Sequence, residues 1–245
     1  MWTNAIDTRD FYASALGAVA QRMIQRRIRV LWPNVSGMEV LGLGFATPYL
    51  DVFQGEASRT LAAMPAAQGV LNWPTDSYGL TTLVDENDLP FADVSINRVL
   101  LVHALESADN VRAMMREVWR VLASGGRMII VVPNRRGLWA RFETTPFGHG
   151  LPYSSRQLST VLCENLFTPY QSEKALFIPP TRSRMILSSA PAMEEIGHRW
   201  FPAFAGVTII EATKQIYAGH TQAKNKRSMI RLPRHGVSVS TRERL

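Results

Sequence analysis

The chain is 245 residues long, with 46% hydrophobic and 19% charged residues and a formal net charge of +7. This much apolar material fills a sizeable core, which excludes disorder as the default, and the length suits one α/β domain with additions. The lone cysteine, Cys163, excludes an internal disulfide and a thiolate metal cluster and fits a reducing cytoplasm. No apolar run nears the roughly 20 residues that span a bilayer, and a start carrying Asp7 and Asp10 lacks the basic-then-apolar layout of a signal peptide.

The charge is uneven. Residues 219–245 hold Lys224, Lys226, Arg227, Arg231, Arg234, Arg242 and Arg244 against Glu243, a local +6 that leaves +1 for the first 218 residues. The composition therefore divides the chain into a domain, 1–218, and a basic tail, 219–245, expected to carry little order. Such a tail is either a solubilising appendage or an arm for nucleic acid or an anionic surface, contacts that weaken with salt. No aromatic residue interleaves its charges, so bases find no stacking platform there.

Residues Thr8 to Leu31 place Phe11, Ala15, Leu16, Val19, Met23, Ile24 and Ile28 at helical spacing and predict one helix, ended by Trp32-Pro33. Met38–Tyr49 (MEVLGLGFATPY) predicts a strand and a glycine turn that leads into a helical segment, Tyr49–Gln54. Arg59–Met64 and Leu80–Val84 predict the second and third strands, with Val70–Pro74 as a short edge piece. Arg98–Leu105 and Arg127–Val132 are continuous and rich in Val, Ile and Leu, as parallel strands buried on both faces are. Between them Val111, Met114, Met115, Val118, Trp119 and Leu122 form one helical stripe. Asp109-Asn110 caps that helix and Ser124-Gly125-Gly126 stops it, giving a βαβ unit. The connection over 133–150 has the length and aromatic content of a substrate lid. A helix from Ser154 to about Asn165, a strand over Lys174–Ile178, a helix over Arg184–Trp200 interrupted near Pro191, and a strand over Val207–Tyr217 complete the chain.

Ligands of open α/β sheets sit beyond the carboxyl ends of the strands. Asp85 stands there after the third strand, and His103 and Glu106 after the fourth. Histidine is the natural base near neutral pH, although a loop histidine bonded to backbone explains His103 as well. Five histidines and one cysteine offer no zinc-type spacing, so no metal is expected. Neither a nucleophile elbow nor a phosphate loop is present.

The words D-x-x-D-L-P-F-A-D-x-S-I-N-R-V from Asp85 and V-W-R-V-L-x-x-G-G-R-M-I-I-V-V-P-N from Val118 carry a resemblance. They resemble the class I S-adenosylmethionine (SAM)-dependent methyltransferases, in particular the small-molecule group that includes the ubiquinone/menaquinone enzymes. The resemblance implies a three-layer Rossmann-like α/β fold whose mostly parallel seven-stranded sheet ends in an antiparallel pair. It also implies SAM as cofactor and a small molecule as methyl acceptor. Asp85, with Glu86 beside it, would meet the adenine, and Gly42, Leu43 and Gly44 the methionine end. Tyr12 would lie over the cofactor on the N-terminal helix, or else be a packed aromatic. His103 would be the catalytic candidate. The sequence departs from the family where Gly42 replaces an acidic residue and Ala46 and Pro48 replace later glycines. No carboxylate ends the second strand, and Glu56 comes too early to serve. These departures keep a second reading open: a catalytically inactive protein of the same fold, acting as a regulatory or scaffold module.

Overall fold

The computed structural model describes residues 4–76 and 78–216; the basic tail, 219–245, lies outside the described residues. The strands are β1 (Glu39–Gly44), β2 (Arg59–Pro65), β3 (Thr81–Val84), β4 (Ile96–Val102), β5 (Leu122–Pro133), β6 (Phe167–Ala175) and β7 (Val207–Lys214). They make one seven-stranded sheet in the order β3-β2-β1-β4-β5-β7-β6. The first five run parallel, and β7 lies antiparallel between β5 and β6. The register sets Gly44 beside Val102 and Pro65 beside Val84, so the carboxyl ends of β3, β2, β1 and β4 form one edge. This is the sheet the resemblance implied.

Side chains alternate along the central strands, as the period-two geometry of a strand demands. Leu100, Val102, Ile129 and Val131 face one core, under α1 (Ala5–Ala13) and α2 (Ala15–Leu31). Val99, Leu101, Met128, Ile130 and Val132 face the other, under α4 (Val111–Val121) and α5 (Ser155–Glu164). Both faces are covered, which explains why β4 and β5 read as unbroken apolar runs.

Several boundaries differ from expectation. The N-terminal helix is two helices, because Ser14 is extended and its hydroxyl accepts the Gly17 N–H as an N-cap, a bond that competes with continued helix. The glycines after α4 do not stop it. The helix ends at Val121, and Ser124-Gly125-Gly126 run on inside β5, whose first residue, Leu122, pairs with Ile96. The turn after β1 opens only one turn of α-helix, α3 (Thr47–Leu50), and a 3-10 turn over 51–53. Finally, β6 begins at Phe167 rather than Lys174, because it is an edge strand of mostly polar, partly exposed residues with no apolar run to mark it. The last helix divides at Ser189 into α6 (Arg184–Ser188) and α7 (Ala190–Trp200). Residues 70–74 form no strand; Trp73 there donates its indole N–H to Asp51 at 2.8 Å.

A buried ion pair ties the amino end of the sheet to α2. Glu211 is fully buried on β7. It accepts the Trp32 indole N–H at 3.0 Å and the Arg127 guanidinium at 3.2 Å. Among the described residues no helix is long and apolar enough to cross a membrane.

Candidate functional site

The site grows from the turn after β1. Gly44 has φ +84°, and a Cβ there would meet the Val102 carbonyl and Ala104, so the position requires glycine. Gly42 serves packing: a Cβ would lie 2.7 Å from both Ala46 Cβ and Leu50 Cδ1, so its bare backbone lets α3 fold back onto β1. Leu43 is fully buried and packs in the core beneath α4, on the opposite face from Phe45 and Tyr12. Phe45 instead turns toward the N-terminal helices and stacks on Tyr12, ring centroids 5.9 Å apart.

Tyr12, Tyr49, His103 and Glu106 come together in a buried hydrogen-bonded chain. The Tyr12 hydroxyl lies 2.9 Å from that of Tyr49 and 2.8 Å from His103 Nε2, while His103 Nδ1 lies 3.2 Å from Glu106 Oε1. The polarity of this chain follows from its carboxylate end. With the carboxylate ionised and the ring neutral, Nδ1 donates to Glu106 and Nε2 accepts from Tyr12, which in turn accepts from Tyr49. Burial holds both phenols well above the usual tyrosine range, so both remain O–H donors. Burial, and after it the charge of Glu106, also raises Tyr153. Glu106 Oε2 is buried without a hydrogen-bond partner.

His103 itself is strained. It adopts φ +53°, a left-handed conformation that is uncommon for a residue with a side chain and that clusters at working sites. Its carbonyl accepts the side-chain amide of buried Gln68, which reaches across from the end of β2. The Gln68 carbonyl in turn accepts the Ala5 N–H of α1 at 2.8 Å. The second-strand end, where the family places its ribose carboxylate, is therefore neutral and engaged with the protein. Beyond the histidine, Phe147 lies 4.8 Å from the His103 ring and 5.5 Å from Trp139, so the 133–150 connection walls the site with aromatics.

Asp85 stands exposed at the end of β3 and accepts the Asn87 backbone N–H at 2.8 Å; Glu86 beside it is partly exposed. These two hold the sheet edge two strands away from His103, beyond β2 and β1. Sequence reasoning selected Tyr12, Gly42, Leu43, Gly44, Asp85, Glu86 and His103. It missed Phe45, Tyr49 and Gln68, whose only signal was their place after strand ends. Among the described residues no cluster of His, Cys, Asp or Glu suits a metal ion.

Residues 42–130 match the family model described as a methyltransferase domain. The UbiE ubiquinone/menaquinone biosynthesis C-methyltransferase of Desulfotalea psychrophila is 31% identical over 77 residues, covering 31% of each chain. The demethylmenaquinone methyltransferase of Tropheryma whipplei is 29% identical over 106 residues, covering 39% of this chain and 41% of that one. The chain thus matches less than half the length of these relatives. A solved structure of a putative methyltransferase in complex with the Haloferax volcanii Trm112 activator shares the fold, with a TM-score of 0.60, 18% identity, and coverage of 87% of this chain and 99% of that one. With the sheet order and the motif words, these matches place a methyltransferase domain over residues 42–130 of a Rossmann-like fold. The matched segment and the fold are those of the class I SAM-dependent methyltransferases, a family whose cofactor is S-adenosylmethionine.

Two features of this edge could meet that cofactor. At one end is the exposed Asp85 carboxylate. At the other, the glycine-only turn at Gly44 lies beside a site that contains Glu106, whose buried orphan oxygen lacks a donor or cation. In the middle, the ribose diol has no carboxylate to meet.

Proposed function

We propose that the protein is a SAM-dependent methyltransferase acting on a small-molecule acceptor, with Asp85 and Glu86 at the adenine and Gly42, Leu43 and Gly44 offering backbone near the methionine end. The observation that carries the reading is the Tyr49–Tyr12–His103–Glu106 chain at the ends of β1 and β4, behind the strained His103 backbone. Bound SAM supplies an electrophilic methyl group on a sulfonium. His103 accepts the proton that an acceptor O–H or N–H loses as its lone pair bonds to the methyl carbon, the acceptor taking the place of the Tyr12 hydroxyl at Nε2. Glu106 holds Nδ1–H and offsets the charge of the imidazolium so formed. Tyr12, on α1, bonds the histidine at Nε2 until an acceptor takes its place. Trp139 and Phe147 exclude water from the histidine side.

Calorimetric titration of the folded protein with SAM and S-adenosylhomocysteine tests the reading. Saturable heat with a Kd of about 1–100 μM is expected. Absence of heat at millimolar ligand, with the protein demonstrably folded, overturns it in favour of a non-catalytic protein of this fold. The neutral end of β2 is the feature that would then explain the loss.

A further inference from the structure

The segment joining α7 to β7 presents an unusual surface. Trp200, Phe201 and Phe204 are 68%, 56% and 62% exposed, three large rings within five residues. The backbone beneath them is fixed. Phe201 N–H bonds the Gly197 carbonyl at 2.8 Å, and Lys174 donates to the Pro202 carbonyl at 2.9 Å. The buried Asn134 side chain donates to the carbonyls of Ala203 and Ala205 at 3.1 and 2.8 Å. The polar groups of the segment are thus satisfied inward while its rings point outward. A rigid segment that exposes three aromatic rings to water marks a contact surface.

Position and charge define what it contacts. Asn134 follows the last residue of β5, so the segment lies at the carboxyl edge of the sheet, the edge that carries His103. The link inward is short: a Cβ at Gly206 would meet the Trp139 ring, and Trp139 leads through Phe147 to His103. Cations lie along the segment. The Arg199 guanidinium sits 5.6 Å from the Trp200 ring. Burial, and after it the charge of nearby Arg136, holds the Lys174 ammonium below its ordinary value. The acidic residues next to this segment are Glu195, exposed on α7, and Glu173, which pairs with His198 and Arg27. Exposed Trp and Phe next to Arg and Lys suit the boundary of a bilayer, where rings enter the acyl boundary and cations meet lipid phosphates. A protein partner of matching size would need a broader, flatter apolar face than three projecting rings.

We infer that Trp200, Phe201 and Phe204, with Arg199 and Lys174 beside them, dock this protein onto an anionic membrane surface with the site edge facing the lipid. On the methyltransferase reading above, the acceptor then arrives from the bilayer; the docking itself does not depend on that reading. The test is flotation of the full chain with phosphatidylcholine vesicles, with and without about one-third phosphatidylglycerol, at low and physiological salt. The wild type should float with the anionic vesicles, less so as salt rises. A Trp200→Ser/Phe201→Ser/Phe204→Ser variant with unchanged thermal unfolding should lose about tenfold or more in partitioning, and Arg199→Glu should weaken it without touching the rings. Equal flotation of wild type and triple variant overturns the proposal and moves any binding to the basic tail. No flotation of the wild type also overturns it. So does a concentration-dependent dimer that the triple variant abolishes, which would make the patch an interface between copies. SAM binding by calorimetry is read separately, so failure of docking and failure of the methyltransferase reading are distinguishable.

Discussion

Replacing Tyr12 with Phe removes one oxygen and tests whether the buried chain is a real energetic unit. The hydroxyl sits between Tyr49 at 2.9 Å and His103 Nε2 at 2.8 Å, and its residue is 7% exposed. Tyr12→Phe keeps the stacking on Phe45 but deletes both bonds, leaving a buried Tyr49 hydroxyl and a buried ring nitrogen unpartnered. Each net hydrogen bond contributes about 0.5–1.5 kcal/mol, and stranded partners carry their own desolvation cost. The expected loss is about 2 kcal/mol, or a Tm lower by about 4–8 °C for a domain of this size. Urea unfolding followed by circular dichroism measures it. Tyr49→Phe supplies a double-mutant cycle: the double variant should lose about 1 kcal/mol less than the sum of the singles, because the first change already strands the second partner. A Tyr12→Phe loss under about 0.5 kcal/mol, or strict additivity with Tyr49→Phe, refutes the chain.

Asp85 is exposed and its Oδ1 caps only its own turn, so Asp85→Ala should leave the Tm unchanged while weakening SAM in calorimetry by about 10–100-fold, the scale of one lost charged hydrogen bond; equal affinity removes Asp85 from the site. Glu211→Ala strands the Trp32 N–H and the Arg127 cation, and should cost about 3 kcal/mol in urea unfolding; a loss below about 1 kcal/mol shows that water already serves those groups. Burial raises the Glu194 carboxyl above its ordinary value, against two backbone N–H bonds from Phe177 and Leu176 that lower it. A raised folded pKa gives stability that is present below the unfolded value and lost as pH climbs through the folded one. Glu194→Gln stays neutral, so its stability relative to wild type should rise as pH climbs above the ordinary carboxylate value of about 4; a flat or falling difference in urea melts contradicts the sign.

The fold was legible where period and burial agree. β4, α4 and the core of β5 announce themselves, since continuous Val and Ile runs and a helical stripe leave few alternatives. The antiparallel pair was legible as a pair, but β6 was misplaced because an edge strand built of Thr168, Gln171, Ser172 and Glu173 has no apolar period to read. The break at Ser14 was hidden because apolar spacing continues across it, while the capping bond that makes it depends on one hydroxyl. At the site, residues that end strands were legible because topology puts them at one edge. Phe45 and Gln68 were not, because their roles come from neighbours 33 and 35 residues or more away in sequence.

Those two residues explain how the departures in the glycine motif fit together. A longer helix after β1 would present its N-terminus to the ligand; here α3 is one turn, so that dipole is small. Gly42 is required by α3 folding back, not by a ligand, and Pro48 accepts the Gln21 side chain through its carbonyl, fastening the shortened turn to α2. Phe45 then fills the space above Gly44 and stacks on Tyr12, while Gln68 joins the end of β2 to His103 and to α1. The ends of β1, β2 and β4 and the helix α1 are therefore one hydrogen-bonded assembly. The usual anchors are separate contacts to the ligand, whereas these residues bond mostly to one another. A ligand at this edge meets a pre-formed wall of aromatics and a single orphan carboxylate oxygen. It follows that changes at Gln68 or Tyr12 act on the histidine's position before they act on any ligand.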